Sequence, residues 1–287
     1  FLMEYKLSNI NSNFESYQQL INLFHACKRT HFDTIILKIT DWFAANMSSA
    51  LGALLDSIQN NFNYIDIQFD DRVGNILRKN DFLSFYGYDK KNDSYHTTIQ
   101  YKKIKKTDSR YFIEYIKNDL FSRSEMPKMS DLLKKKIIEN IYEIFINAQI
   151  HSESDYIYTC GQFYPKKNII EFTITDAGIG FKRSIYNKFE RDISSVNAMK
   201  LALRGTITTK NGIPGGLGLK MLSEFIEINR GKFQIITYEG FYEKIAVNEM
   251  YNEFDGYFPG TIVNLQFKTD EKYSYCFTDE IESDDIL

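Results

Sequence analysis

Cysteine is scarce in this sequence, and its three copies, Cys27, Cys160 and Cys276, lie far apart. No C-x-x-C pair occurs, so neither a zinc site nor a disulfide framework is expected, and a reducing, cytoplasmic setting fits best. Long apolar runs are missing as well. None reaches the ~18 residues of a membrane span, and no signal-peptide pattern is visible. Phe1-Leu2 ahead of Met3 reads as an addition to the natural start. The formal charge is only −3, which provides no global basic field for nucleic acid. The local basic runs YKKIKKTDSR (101–110) and LKKKI (133–137) read as solvated faces.

What remains is an ordinary globular composition, 43% apolar and 25% charged, in a chain of 287 residues that has room for two domains. FESYQQLINLFHACK (14–28) has helical spacing, and TIILKIT (34–40) is rich in β-branched residues and reads as a strand. SSALGALLDSIQ (48–59) reads as a helix with Ser48 or Ser49 as its N-cap. YIDIQF (64–69) alternates like a strand, and RVGNILRKNDFL (72–83) is helical. This order implies a small α/β domain. Between 84 and 125 the pattern weakens: HTTIQYKKI suggests a strand and YFIEYIKNDLF is ambiguous. Pro127 and a capping Ser130 announce a long helix over 131–151, which places a domain boundary near 125. Strands are expected at 156–163, 169–175, 232–238 and 259–267, and a helix-like piece at 193–204. The division is 1–125, 126–270 and an acidic tail, 271–287, expected to be loose.

The helix IYEIFINAQIHS (141–152) has an odd polar row. Glu143, Asn147 and His151 stand four residues apart on one face, beside an apolar stripe of Ile141, Ile144, Phe145 and Ala148. Alone, such a row reads as a solvated face. Three later signals give it a use. A strand ends in Asp176-Ala177-Gly178-Ile179-Gly180, a cluster Gly215-Gly216-Leu217-Gly218-Leu219 opens a helix, and Gly260-Thr261 starts a late strand. An Asp after a buried strand can accept a hydrogen bond from an exocyclic amine such as adenine's. Gly178 and Gly180 let the backbone pass close to a flat base. Glycines at a helix start expose N–H groups and the positive end of the dipole to phosphates. Asn147 offers a neutral oxygen to Mg²⁺, and Glu143, one turn earlier, is placed to orient or deprotonate a nucleophile.

These four signals, in this order, resemble the GHKL ATPase superfamily of gyrases, heat-shock chaperones, histidine kinases and MutL-type proteins, over roughly residues 130–270. EIFINAQIH is similar to its N box, DAGIG and GGLGL to its two glycine boxes, and Gly260-Thr261 to its later GT element. The resemblance implies a sandwich in which a mixed, mainly antiparallel sheet is covered by helices on one face. It implies ATP and Mg²⁺ as ligands, with Asn147 on the metal. Asp176 and Thr261 would read adenine, and Gly178 and Gly180 would line the base and ribose pocket. Gly216, Leu217, Gly218 and Leu219 would hold phosphates, and residues 181–214 would form a lid whose Thr208-Thr209-Lys210 stretch reaches the terminal phosphate. Histidine kinases usually carry Asn where Glu143 stands, and His25, His31, His96 and His151 offer no phosphoacceptor helix ahead of the module. The E-x-x-x-N-x-x-x-H spacing is most similar to the anti-sigma serine kinases.

Residues 34–85 resemble a STAS domain, the anti-anti-sigma fold. Ser48-Ser49-Ala50-Leu51-Gly52 sits where such proteins carry a phosphorylated serine turn, with Met47 in place of its Asp and Ala50 in place of its Gly. Ser48 and Ser49 are therefore candidate phosphoacceptors, and helix capping is their other reading. Three functions stay open. The first is an ATP-hydrolysing switch in a prokaryotic regulatory or defence system. The second is a serine kinase acting on a STAS-like domain in cis or in trans, and the third a non-catalytic nucleotide-gated module. A protein partner (a regulator, a toxin-like or a STAS-like protein) is expected, a homodimer is open, and neither membrane nor nucleic acid is expected as a partner.

Overall fold

The computed structural model describes residues 2–151, 154–204, 217–270 and 272–284. Three parallel strands make the first sheet: β1 (Leu2–Ile10), β2 (Thr34–Phe43) and β3 (Tyr64–Phe69), in the order β1-β2-β3. Helices α1 (Phe14–Cys27) and α2 (Ser48–Gln59) form the crossovers, which parallel pairing requires. The inward residues of β2, Ile35, Leu37 and Ile39, are fully buried against them. β1 escaped the sequence reading because only Leu7 and Ile10 of its nine residues are buried, too few for an apolar alternation to stand out. Helix α3 (Asp71–Lys79) starts where the carboxylate of Asp70 accepts the Val73 N–H at 2.9 Å.

The second sheet contains β4 (Thr98–Lys105), β5 (Tyr156–Tyr164), β6 (Ile169–Asp176), β7 (Lys232–Ile245) and β8 (Asn248–Lys268), in the order β4-β5-β6-β8-β7. Each neighbouring pair is antiparallel, so among the described residues this sheet is antiparallel throughout, where a mixed one was expected. β4 lies ahead of residue 125, yet it pairs with β5, Lys102 opposite Thr159. The second sheet thus draws on the chain from Thr98 onward. Helix α4 (Ser109–Tyr115) runs into one wide turn at Ile116–Leu120. Helix α5 (Asp131–His151) is capped by Ser130, whose Oγ accepts the Leu133 N–H at 3.2 Å. Then come α6 (Gly180–Phe189), α7 (Ser195–Arg204), α8 (Leu217–Ile228) and α9 (Thr278–Asp284).

All of β6 is buried, because both faces of the sheet are covered. Ile170, Phe172 and Ile174 join Val263 and Leu265 of β8 and Phe145 of α5 in one apolar cluster. The alternate residues Glu171, Thr173 and Thr175 are polar and face the N-terminal half. Asn46 donates to Ser12 Oγ at 2.8 Å and Thr173 Oγ1 at 3.0 Å. Ser12 Oγ donates to Glu171 Oε2 at 2.8 Å, and Gln266 donates to Glu171 Oε1 at 2.8 Å. Lys232 Nζ stands 3.4 Å from the same carboxylate. Buried polar groups are as a rule hydrogen-bonded, and here the pairing partners come from both halves of the chain. The apolar residues of the N-terminal half share one cluster with Tyr158, Ile236, Phe241 and Ile262 of the second sheet.

The acidic tail is docked through its described residues, against the expectation that it is loose. Tyr275 donates its N–H to Lys128 O at 2.9 Å and packs against Phe225 with ring centroids 5.4 Å apart. Ser130 Oγ donates to Glu280 Oε2 at 2.8 Å. A carboxylate at the start of α5 also suits that helix's dipole. Among the described residues no helix is long and apolar enough to cross a membrane.

Candidate functional site

Asp176 is the last residue of β6, on the side of the sheet that faces the helices. It pairs with Thr261 of β8, and Thr261 pairs with Thr237 of β7. The apolar rows of this face therefore end in a polar row, Asp176–Thr261–Thr237. Gly178 N–H donates to Asp176 Oδ1 at 2.9 Å. Burial pushes the Asp176 carboxyl up to about 7, and the backbone N–H groups of Gly178 and Thr261 only partly offset that. Among the described residues, the groups that act on this carboxyl are the neutral backbone N–H groups of Gly178 and Thr261.

The backbone around this carboxyl is tightly drawn. Gly260 has φ +130°, and a Cβ there would meet Asp176 O at 2.0 Å. Only glycine fits. Gly180 begins α6 with φ +69°. Next to it Phe181 N–H donates to Thr237 Oγ1 at 2.9 Å, and that hydroxyl lies 3.4 Å from Thr261 Oγ1. Thr237 was missed in the sequence, where it is one more β-branched residue in a strand. Its pairing opposite Thr261 is a register fact, invisible until the strand order is known.

Glu143 and Asn147 are half-buried on α5. Asn140, which shares their helical row at i, i+3, i+7 spacing, is 6% exposed and its Nδ2 has no hydrogen-bond partner among the described residues. Gly218, in the first turn of α8, lies directly against Glu143: a Cβ there would stand 2.3 Å from Glu143 Oε2. The structure thus joins two of the sequence signals, the carboxylate of the long helix and the glycine that opens α8. Leu217 opens that helix and Leu219 is buried in the core beneath it. Thr208, Thr209, Lys210, Gly215 and Gly216 lie outside the described residues. Among the described residues no group of three or more His, Cys, Asp or Glu is placed to hold a metal ion. Asn147 is the α5 residue whose neutral amide oxygen could serve a Mg²⁺ ion, which commonly keeps water and phosphate oxygens as further ligands.

Ser48 and Ser49 lie elsewhere, in the seam between the halves, and both are fully buried. They do not cap α2: its N-cap is Met47, with no side-chain bond. Asn80 donates to Ser48 Oγ at 2.9 Å, and Ser49 Oγ lies 2.8 Å from both Tyr158 O and Thr175 Oγ1. The serines spend their hydroxyls on the interface, which local helix-start patterns could not foretell. No protein-family model matches the chain, and no curated protein matches it either.

Proposed function

We propose that the chain is a Mg²⁺-dependent ATP-binding protein of the GHKL type that hydrolyses ATP as a conformational switch. The observation that carries this reading is the buried Asp176, which accepts the Gly178 N–H and sits against Gly260 at the end of its strand. A carboxylate in that setting suits an exocyclic amine, and Thr261 and Thr237 supply neutral hydroxyls beside it. The donor set on α5 fits the same ligand. Asn147 offers an amide oxygen of the kind that Mg²⁺ accepts, and the bare Gly218 lets the Glu143 carboxylate lie against the first turn of α8. The metal, when bound, would neutralise phosphate charge. Glu143 would accept the proton of an attacking water, or orient it, and Asp176 would fix the base.

The burial of Ser48 and Ser49 favours hydrolysis over phosphotransfer in cis, because a hydroxyl with no exposed surface cannot reach a phosphate without opening the seam. A serine kinase acting in trans on a STAS-like protein uses the same parts. The STAS-like assignment of the N-terminal half, a regulatory or defence role and a protein partner belong to the same proposal. The test is calorimetric titration of ATP in Mg²⁺. Saturable binding is expected, lost in Asn147→Ala and at least tenfold weaker in Asp176→Asn. Parent-like binding in both variants would overturn the site.

A further inference from the structure

A second recess, of about 460 Å³, lies between α7, α8 and the β7–β8 hairpin. Its size is in the range of small-molecule sites. It is not the site just described. Gly218 faces Glu143, whereas Lys220, two positions on, is turned by about 200° around α8. Lys220 lines the recess with Ser223 and Glu224.

The walls carry four cations, Lys200, Arg204, Lys220 and Lys244, against two carboxylates, Glu224 and Glu249. Two of the cations are engaged. Lys244 Nζ lies 2.6 Å from Glu227 Oε2 and 3.6 Å from Glu249 Oε1, and Lys220 is 3.8 Å from Glu224. Lys200 and Arg204, one turn apart in the C-terminal half of α7, have no carboxylate partner among the described residues. Lys200 Nζ instead lies over the ring of Tyr251, 4.8 Å from its centroid. Tyr242 is only 1% exposed and its hydroxyl donates to Glu249 Oε1 at 3.1 Å, which ties down that carboxylate. Tyr251 packs on Tyr242 with centroids 4.8 Å apart, making a stiff aromatic wall behind the two cations. Among the described residues the carboxylates of this concave site are paired and two cations of one helix have no such partner, which leaves a demand for negative charge.

We propose that this recess is an anion-binding site for a small phosphate-bearing ligand, held by Lys200 and Arg204 and completed by Lys220 from α8. Such a ligand ties α7 to α8 from the face opposite Glu143. The proposal does not depend on ATP binding at Asp176. It is tested with inorganic pyrophosphate as the probe, by calorimetry on the full chain at constant ionic strength, without nucleotide or Mg²⁺. One saturable event is expected in the parent and in Asn147→Ala. It should weaken at least tenfold in Lys200→Gln and in Arg204→Gln, both of which should keep the parent circular dichroism and melting temperature. No saturation beyond a chloride control would overturn the proposal. So would parent-like affinity in both recess variants, or loss of the event in Asn147→Ala with the recess variants unaffected, which would place the anion in the other site.

Discussion

Replacing Gly218 with alanine should separate stability from turnover. The added Cβ would lie 2.3 Å from Glu143 Oε2 and 3.1 Å from its Cδ. Comfortable contact needs about 3.5 Å, so the carboxylate must withdraw by roughly 1 Å. The obstacle is the far end of a flexible, half-buried side chain, and it can swing away without moving backbone. Alanine is also the better helix former, by up to ~1 kcal/mol. The melting temperature should therefore hold or rise. A catalytic group displaced by about 1 Å costs on the order of 100-fold in rate. Phosphate release at saturating Mg²⁺-ATP should fall by about that factor, toward the level of Glu143→Ala, for which a loss of ~10²–10⁴ is expected. Calorimetry should still detect ATP. Parent-like turnover in Gly218→Ala, in a protein that Glu143→Ala inactivates, would refute the claim that Glu143 works from the position it holds against α8.

Other expectations follow from the same contacts. Asp176 has a folded-state carboxyl raised to about 7, so between the ordinary carboxylate range and pH 7 the native state holds a proton that the unfolded state has lost. This lowers stability as pH rises through that window and then levels off. The melting temperature of Asp176→Asn relative to the parent should climb from pH 5 to pH 8, without nucleotide, and a flat difference would contradict the burial argument. Glu171→Ala strands Lys232 in the seam, and denaturant unfolding should register a loss of about 3–5 kcal/mol; a loss under about 1 kcal/mol would mean the halves are not locked by this network. Ser49→Asp forces a charge into a fully buried position and should cost several kcal/mol by the same assay, whereas a mild effect would show that the seam opens readily.

Much of the second sheet could be read from the chain because its strands alternate and its turns are polar. The long helix announced itself through Ser130 and its apolar stripe. The N-terminal half was legible as strand–helix–strand, yet β1 was missed, since a strand that buries two residues has almost no apolar signature. Helix α6 was missed for a similar reason: GFKRSIYNKF buries only Gly180 and Ile185. The site divides in the same way. Gly180 and Gly260 stood out in the sequence because glycine marks places where side chains cannot go, and both have positive φ and close neighbours. Thr237 and Asn140 did not, because their roles come from strand order and helix packing. Ser48 and Ser49 looked like a helix start, and their hydroxyls instead serve distant contacts, Ser48 with Asn80 and Ser49 with Tyr158 and Thr175, more than 100 residues away in sequence. Local pattern carries local structure; it does not carry which surface a polar side chain will meet.

The most direct test is to incubate the purified chain with γ-labelled ATP and Mg²⁺ and to follow free phosphate and protein-bound label together. The account expects free phosphate to accumulate, to stop in Glu143→Ala and to leave no label on the protein. Label retained on the chain and abolished by Ser48→Ala or Ser49→Ala would contradict it, and would make the protein a serine kinase that opens its own seam.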